Sequence, residues 1–196
     1  LETCSLIPPS PEWILTNSTA VPWRPELYDK DMDQALDDWT HGPNEPADVK
    51  NRDLLEEITG LVLFRSPMFK RGVIIQGMSN GGKSCYFKCL KNMLGEKNVS
   101  DATVIDFASR FKLAKLRNKM LNLADDADKK PITAELNEQM KKIISGESIL
   151  VERKGIDAEN LQNVAKLFLS CNEFPPMPDP AMLKRFVPFK FKNFFP

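Results

Sequence analysis

GVIIQGMSNGGKSCYFKCL, running from Gly72 to Leu90, sets a β-branched run, a glycine-rich turn and a helical period in direct succession. Gly77 and Gly82 stand four residues apart and are followed at once by Lys83 and Ser84, the spacing of a phosphate-binding loop. In such a loop backbone N–H groups point inward at the phosphates, and glycines allow the positive φ angles this requires. Lys83 would reach the β- and γ-phosphates of a nucleotide, and the Ser84 hydroxyl would ligate Mg²⁺. The flanks agree with this reading: Val73-Ile74-Ile75 predicts a strand over 72–76, and Phe87, Leu90 and Leu94 recur at helical spacing before Gly95, predicting a helix over 83–94. The competing reading, a glycine turn beside a solvated lysine, explains neither flank.

The whole chain adds bounds rather than chemistry. Its 196 residues can bury one good core, so one principal domain is expected. Lys+Arg and Asp+Glu both total 27, so the bulk charge favours no polyanionic partner and any basic footprint must be local. Cys4, Cys85, Cys89 and Cys171 include no Cys-x-x-Cys pair, and His41 is the single histidine, which argues against zinc. They read as reduced core thiols of a cytosol-like compartment. Apolar runs are too short to span a bilayer, so a soluble protein is expected, with no membrane partner. The opening Leu1 and the end at Pro196 suggest a piece excised from a longer polypeptide.

Three regions are expected: a proline-rich lead-in over 1–48, a helical collar-like segment over 49–66, and an α/β core over 67–196. The lead-in predicts one short helix, Asp31 to Trp39, with Trp13, Trp23 and Trp39 as candidate anchors. Leu54, Leu55, Ile58, Leu61 and Val62 make an apolar stripe that predicts a helix from Asn51 to Leu63. Beyond the phosphate loop the pattern predicts a strand at 103–105, a helix over 107–117, a strand over 119–124 and a helix over 134–145 closed by Gly146. A hairpin over 148–155 and a strand over 166–171 follow. Strands alternating with helices argue for a layered domain with a mainly parallel sheet.

Three downstream elements give the loop its chemistry. In KMLNLADDAD a strand delivers Asp125 and Asp126 at its carboxyl end, where open α/β sheets bind ligands. One carboxylate can hold Mg²⁺ while the other orients and deprotonates a water; Asp126 is taken as the base and Asp125 as the metal partner, with the roles exchangeable. KLFLSCNEFP ends a strand at Asn172, whose amide can position a γ-phosphate and a water. PAMLKRFVPFKF places Arg185 before a short strand with Phe189 and Phe191 on one side, suited to neutralising transition-state charge in a neighbouring subunit. Turn acids, a turn asparagine and a surface arginine are the plain alternatives to these roles.

Taken together, GMSNGGKS, LNLADDAD, KKIISGESILVERKG, AKLFLSCNEFP and MLKRFVPFKF resemble the superfamily 3 helicase domain of phage and plasmid primase-helicases, over about residues 50 to 196. Poxvirus-type primase-helicases and the replication initiators of small DNA viruses carry related domains. VPWRPELYDKD and LLEEITGLVLF resemble the family's lead-in more weakly. The resemblance implies an AAA+-like P-loop NTPase fold, a homo-hexameric ring, dependence on ATP and Mg²⁺, and translocation on single-stranded DNA. It matches Gly77, Asn80, Gly81, Gly82, Lys83 and Ser84 to the phosphate loop, Asp125 and Asp126 to the acidic pair, Asn172 to the polar sensor and Arg185 to the arginine finger. SILVERKG matches the hairpin that projects into the ring's channel, with Lys154 and Arg153 gripping DNA phosphates. A primase domain elsewhere in the polypeptide, and the cytoplasm of a host or a virus replication site, are also implied. Many relatives have paired arginines where this chain has Lys184-Arg185.

Two other functions compete with a helicase motor. A nucleotide-gated loader that binds ATP and DNA with little hydrolysis would be expected to lose its acids first, and they are intact. A small-molecule kinase would need an arginine-bearing lid, and no segment supplies one. The basic run Arg110, Lys112, Lys115, Arg117 and Lys119 does not fall on one helical stripe and reads as solvated surface or subunit contact.

Overall fold

A computed structural model describes residues 8, 10–12, 16–125, 132–177 and 179–195, and the statements below concern these residues. Helices α1 (Lys30–Thr40) and α2 (Val49–Leu61) lead into β1 (Gly72–Gln76), α3 (Lys83–Leu94), β2 (Val99–Ser100), α4 (Arg110–Leu113) and β3 (Leu121–Ala124). Then come α5 (Ala134–Ser145), β4 (Ser148–Arg153), β5 (Ile156–Gln162), β6 (Lys166–Cys171), α6 (Pro180–Leu183) and β7 (Phe186–Lys190). The described residues form a five-stranded sheet in the order β2-β3-β6-β1-β7, with every pair parallel. A separate antiparallel hairpin joins β4 and β5.

A parallel sheet covered on both faces needs apolar residues at successive positions, which is why its strands read as unbroken apolar runs. Val73, Ile75, Leu121, Leu123 and Phe168 pack into one cluster with Trp39, Leu55, Tyr86 and Leu90 of α1, α2 and α3. Ile74, Leu167 and Leu169 enter a second cluster with Met140 and Ile143 of α5 and with Ile149 and Val151 of the hairpin. The lead-in helix is thus built into the same core as the phosphate-loop helix. Arg52 of α2 clamps it there, pairing with Asp33 and, at 2.6 Å, with Asp37.

Several expectations need correction. The strand expected at 103–105 lies instead at β2, and it ends after two residues because a side chain takes over from the ladder. Asn122, fully buried in β3, donates to the Ala102 carbonyl at 2.9 Å and accepts from the Ala102 N–H at 2.9 Å and the Ser100 hydroxyl at 2.8 Å. Asn122→Ala strands these buried groups, and a loss of about 3 kcal/mol is expected in urea unfolding. The helix expected over 107–117 is a 3₁₀ turn (Ile105–Ala108), the single turn of α4 and a second 3₁₀ turn (Ala114–Leu116). Ser109, extended at φ −109° and ψ 119°, breaks the helix so that Phe107, Leu113 and Leu116 all reach the core.

The hairpin extends beyond its expected limit at residue 155, because the second strand, IDAENLQ, is mostly exposed and carries no apolar signal. Trp39 is an anchor at 3% exposure, whereas Trp23 is 68% exposed and Trp13 falls outside the described residues. Of the cysteines, Cys171 is a core thiol, Cys89 is half-buried, Cys85 is exposed, and Cys4 is not among the described residues. The basic run is surface, and four of its five cations are paired with acids. Arg110, Lys112, Lys115 and Arg117 pair with Glu152, Asp106, Asp101 and Glu159, and Lys119 donates to the Lys97 carbonyl. No helix of the described residues is long and apolar enough to cross a membrane.

Candidate nucleotide site

The sheet order decides which side chains meet. β6 lies between β1 and β3, so the chain leaving β6 emerges between the loop after β1 and the acid after β3. Lys83, Asp125 and Asn172 therefore converge at the carboxyl ends of three adjacent strands, the place where open parallel sheets bind ligands. A cleft of about 790 Å³ opens there, lined among others by residues 79–85, Asp125 and Asn172.

The loop's shape comes from particular residues. Gly82, the residue before α3, takes φ +90°, and a Cβ there would meet Trp39 Nε1 at 2.3 Å. Asn80 is also left-handed at φ +59°, as asparagine tolerates, whereas Gly77 and Gly81 are small for lack of room rather than for their φ. A Cβ on Gly77 would meet Phe191 Cβ at 3.0 Å, and one on Gly81 the Met78 carbonyl at 3.0 Å. Trp39 stacks on Phe191 with ring centroids 5.7 Å apart and meets Tyr86 edge-on. After β7 the chain crosses the loop, Phe195 N–H donating to the Asn80 carbonyl at 3.0 Å.

Lys83 is 7% exposed, and its ammonium donates to the carbonyls of Gly77 at 2.6 Å and Met78 at 2.8 Å and to Asn172 Oδ1 at 2.9 Å. All three of its N–H bonds are therefore used, the condition for burying a cation. Asn172 is itself tied back to β1, its carbonyl accepting from Gln76 Nε2 at 3.4 Å. The Ser84 hydroxyl lies 3.4 Å from Asp125 Oδ2, and the Ser170 hydroxyl donates to Asp125 Oδ1. A hydroxyl and a carboxylate oxygen side by side are hard donors of the kind Mg²⁺ takes while keeping water and phosphate as its remaining ligands. The residues present fit a Mg²⁺ nucleotide on that chemistry. Asp126 falls outside the described residues.

Arg185 lies at the opposite end of the sheet. Its carbonyl accepts from the N–H of Gly72, the first residue of β1, and its guanidinium donates to the Ala181 carbonyl at 2.9 Å and meets Ser145 Oγ at 3.4 Å. The preceding helix α6 is pinned to α5 through its cap Asp179. Asn137, then Lys141 and the Ala181 N–H, hold that carboxyl down at about 2. On the hairpin, Lys154 is exposed in the turn, but Arg153 is half-buried and paired with Glu159 at 3.1 Å, so the two cations expected at the tip are not equivalent.

Sequence reasoning missed Ser170, a fully buried hydroxyl inside an apolar strand that holds Asp125. A serine in KLFLSC, one residue before the strand end, was the available signal. It also missed Trp39 and Phe195 as walls of the cleft, since both lie far from the loop in sequence.

A parallel sheet with helices on both faces, a glycine-rich loop after β1 and convergent polar groups after β3 and β6 define an α/β domain whose polar cleft lies at the carboxyl edge of its sheet. The chain belongs to the family of unknown function DUF5906, which matches residues 75–185. No curated protein matches it. Among solved structures it is similar to the C-terminal region of NrS-1, at TM-score 0.64 and 19% identity over 83% of this chain and 38% of that one. It is also similar to JCV helicase, solved with a bound thiazolopyridine compound, at TM-score 0.52 and 14% identity over 80% of this chain and 44% of that one. The chain spans less than half the length of either.

Proposed function

We propose that this chain is the ATP-driven motor of a DNA helicase that travels on single-stranded DNA during replication of a virus, plasmid or mobile element. The carrying observation is the convergence of Lys83, Ser84, Asp125 and Asn172 in one cleft while Arg185 sits at the far end of the same sheet. Lys83 binds the phosphates and, through Asn172, reports on them. Asn172 orients the water that Asp126 deprotonates. Ser84 and Asp125 would hold a Mg²⁺ ion, which when bound would supply charge neutralisation on the phosphates. Arg185 cannot serve its own cleft and acts on that of a neighbour in a ring, for which a homo-hexamer is the expected form. A primase domain in the same polypeptide and a cytoplasmic setting fit this reading, and the printed name of JCV helicase supports it.

Lys154 contacts DNA phosphates from the exposed hairpin turn, while Arg153, engaged by Glu159, shapes the hairpin. Lys154→Ala is therefore expected to leave basal ATP turnover intact, remove its stimulation by single-stranded DNA, and reduce the salt slope of DNA binding by about 0.7 for each phosphate left without a cation. Turnover and fluorescence anisotropy across a salt series measure both. Normal unwinding by Lys154→Ala would remove the hairpin from the DNA path.

A further inference from the structure

An apolar groove of about 330 Å³ between α1, α2 and α3 has no part in the reading above; Met32, Leu36, Glu56, Thr59 and Met93 are among the residues that line it. Its rim is acidic. Glu56 shares Arg52 with Asp33 and Asp37, three carboxylates to one cation, and exposed Asp31, beside Met32, has no ion pair among the described residues. The rim belongs to a wider segregation of charge. Residues 26–57 hold eleven carboxylates and three cations, net −8, whereas residues 58–196 hold fourteen carboxylates and twenty-three cations, net +9. The zero balance of the chain therefore conceals two segments of opposite sign.

A surface complementary to the groove lies at the amino end of the sheet. There the loop between α2 and β1 exposes Met68 and Phe69, at 63% and 50%, and follows them at once with exposed Lys70 and Arg71. On α6, Leu183 is 54% exposed and is followed by exposed Lys184. None of these three cations pairs with a carboxylate among the described residues. The loop is tied to Arg185, whose carbonyl accepts from the Gly72 N–H.

We propose that the occupant of the groove is the Met68–Arg71 loop of a second copy of this chain, held in a head-to-tail contact. Phe69 enters beside Met32 and Met93, whose thioethers suit an aromatic ring, while Lys70 and Arg71 meet the acidic rim at Glu56 and Asp31. Nucleic acid has the wrong sign for that rim. A contact between two different faces repeats from copy to copy and closes into a ring where the rotation allows. The proposal names the surfaces that join the ring of the reading above, and it rests on that reading only for its consequence. Because α1 also lines the nucleotide cleft through Ala35 and Asp38, a loop seated on α1 carries its own Arg185 toward the neighbour's cleft.

The test is sedimentation velocity across a concentration series, on the unchanged protein and on two charge-reversed variants, Lys70→Glu/Arg71→Glu and Asp31→Lys/Glu56→Lys, alone and mixed. The unchanged protein is expected to associate, and less strongly as salt rises. Each variant alone should associate at least about tenfold more weakly, because like charges then face each other across the contact. An equal mixture should recover, since every contact between unlike copies again sets acid against base. Phe69→Ala should weaken association at high salt too, where the charges are screened. Circular dichroism melts check folding, and if either reversed variant melts early, the salt series and Phe69→Ala still decide. Variants that associate like the unchanged protein, or a mixture of folded variants that recovers nothing, overturn the proposal. So does a chain that stays monomeric at every concentration, which leaves the groove to a basic segment of a different protein. ATP turnover on the same samples keeps the motor reading separate: assembly that follows these rules without turnover sinks that reading and leaves the contact standing.

Discussion

Lys83→Ala is expected to abolish ATP turnover, lowering it by at least about 100-fold. The ammonium is the one group that touches the loop at two carbonyls and Asn172 at a third point, so its loss removes the phosphate partner and the link between loop and sensor together. The cavity left behind is polar and opens on the cleft, so the fold should survive and nucleotide binding should weaken rather than fail by unfolding. Steady-state hydrolysis, a fluorescent nucleotide titration and a circular dichroism melt separate these effects. Turnover within tenfold of the unchanged protein would mean the site lies elsewhere.

The second large effect concerns Arg185. β1 is five residues long, so the N-terminal end where Arg185 sits lies about 15 Å or more from the phosphate loop at its other end. An arginine at that distance cannot stabilise charge in its own cleft. Arg185→Ala alone is expected to be inactive, losing about 1,000-fold in turnover as arginine-finger removal does. Mixed with Lys83→Ala subunits it should recover in part, because one subunit supplies an intact loop and the other an intact arginine. Random rings at equal proportions would restore about one site in four. No recovery at any ratio would place Arg185 in a purely structural role, holding α6 to the end of α5 through Ser145 and Ala181.

The parts of the fold legible in the sequence are those where local and tertiary preferences agree. β1, α3, α5 and β6 fall where apolar periodicity and the glycines at 82, 95 and 146 place them, since each helix is amphipathic and each glycine stop takes a positive φ. The stretch from 101 to 117 was not legible, because its form depends on Asn122, about twenty residues away, and on one extended serine. In the cleft, Lys83, Ser84, Asp125 and Asn172 are brought together as their positions at strand ends imply. Partners across an element were hidden: Glu159 on Arg153 across the hairpin, Ser170 behind Asp125 on the neighbouring strand, and Trp39 against Gly82. Each depends on chain paths that periodicity does not encode.

The most direct measurement is ATP hydrolysis against protein concentration, with and without single-stranded DNA, with Lys83→Ala as the blank. A motor whose sites are shared between subunits predicts turnover that rises more than linearly with protein and rises further with DNA. Nucleotide binding with turnover no greater than the blank, flat in concentration and indifferent to DNA, would contradict it.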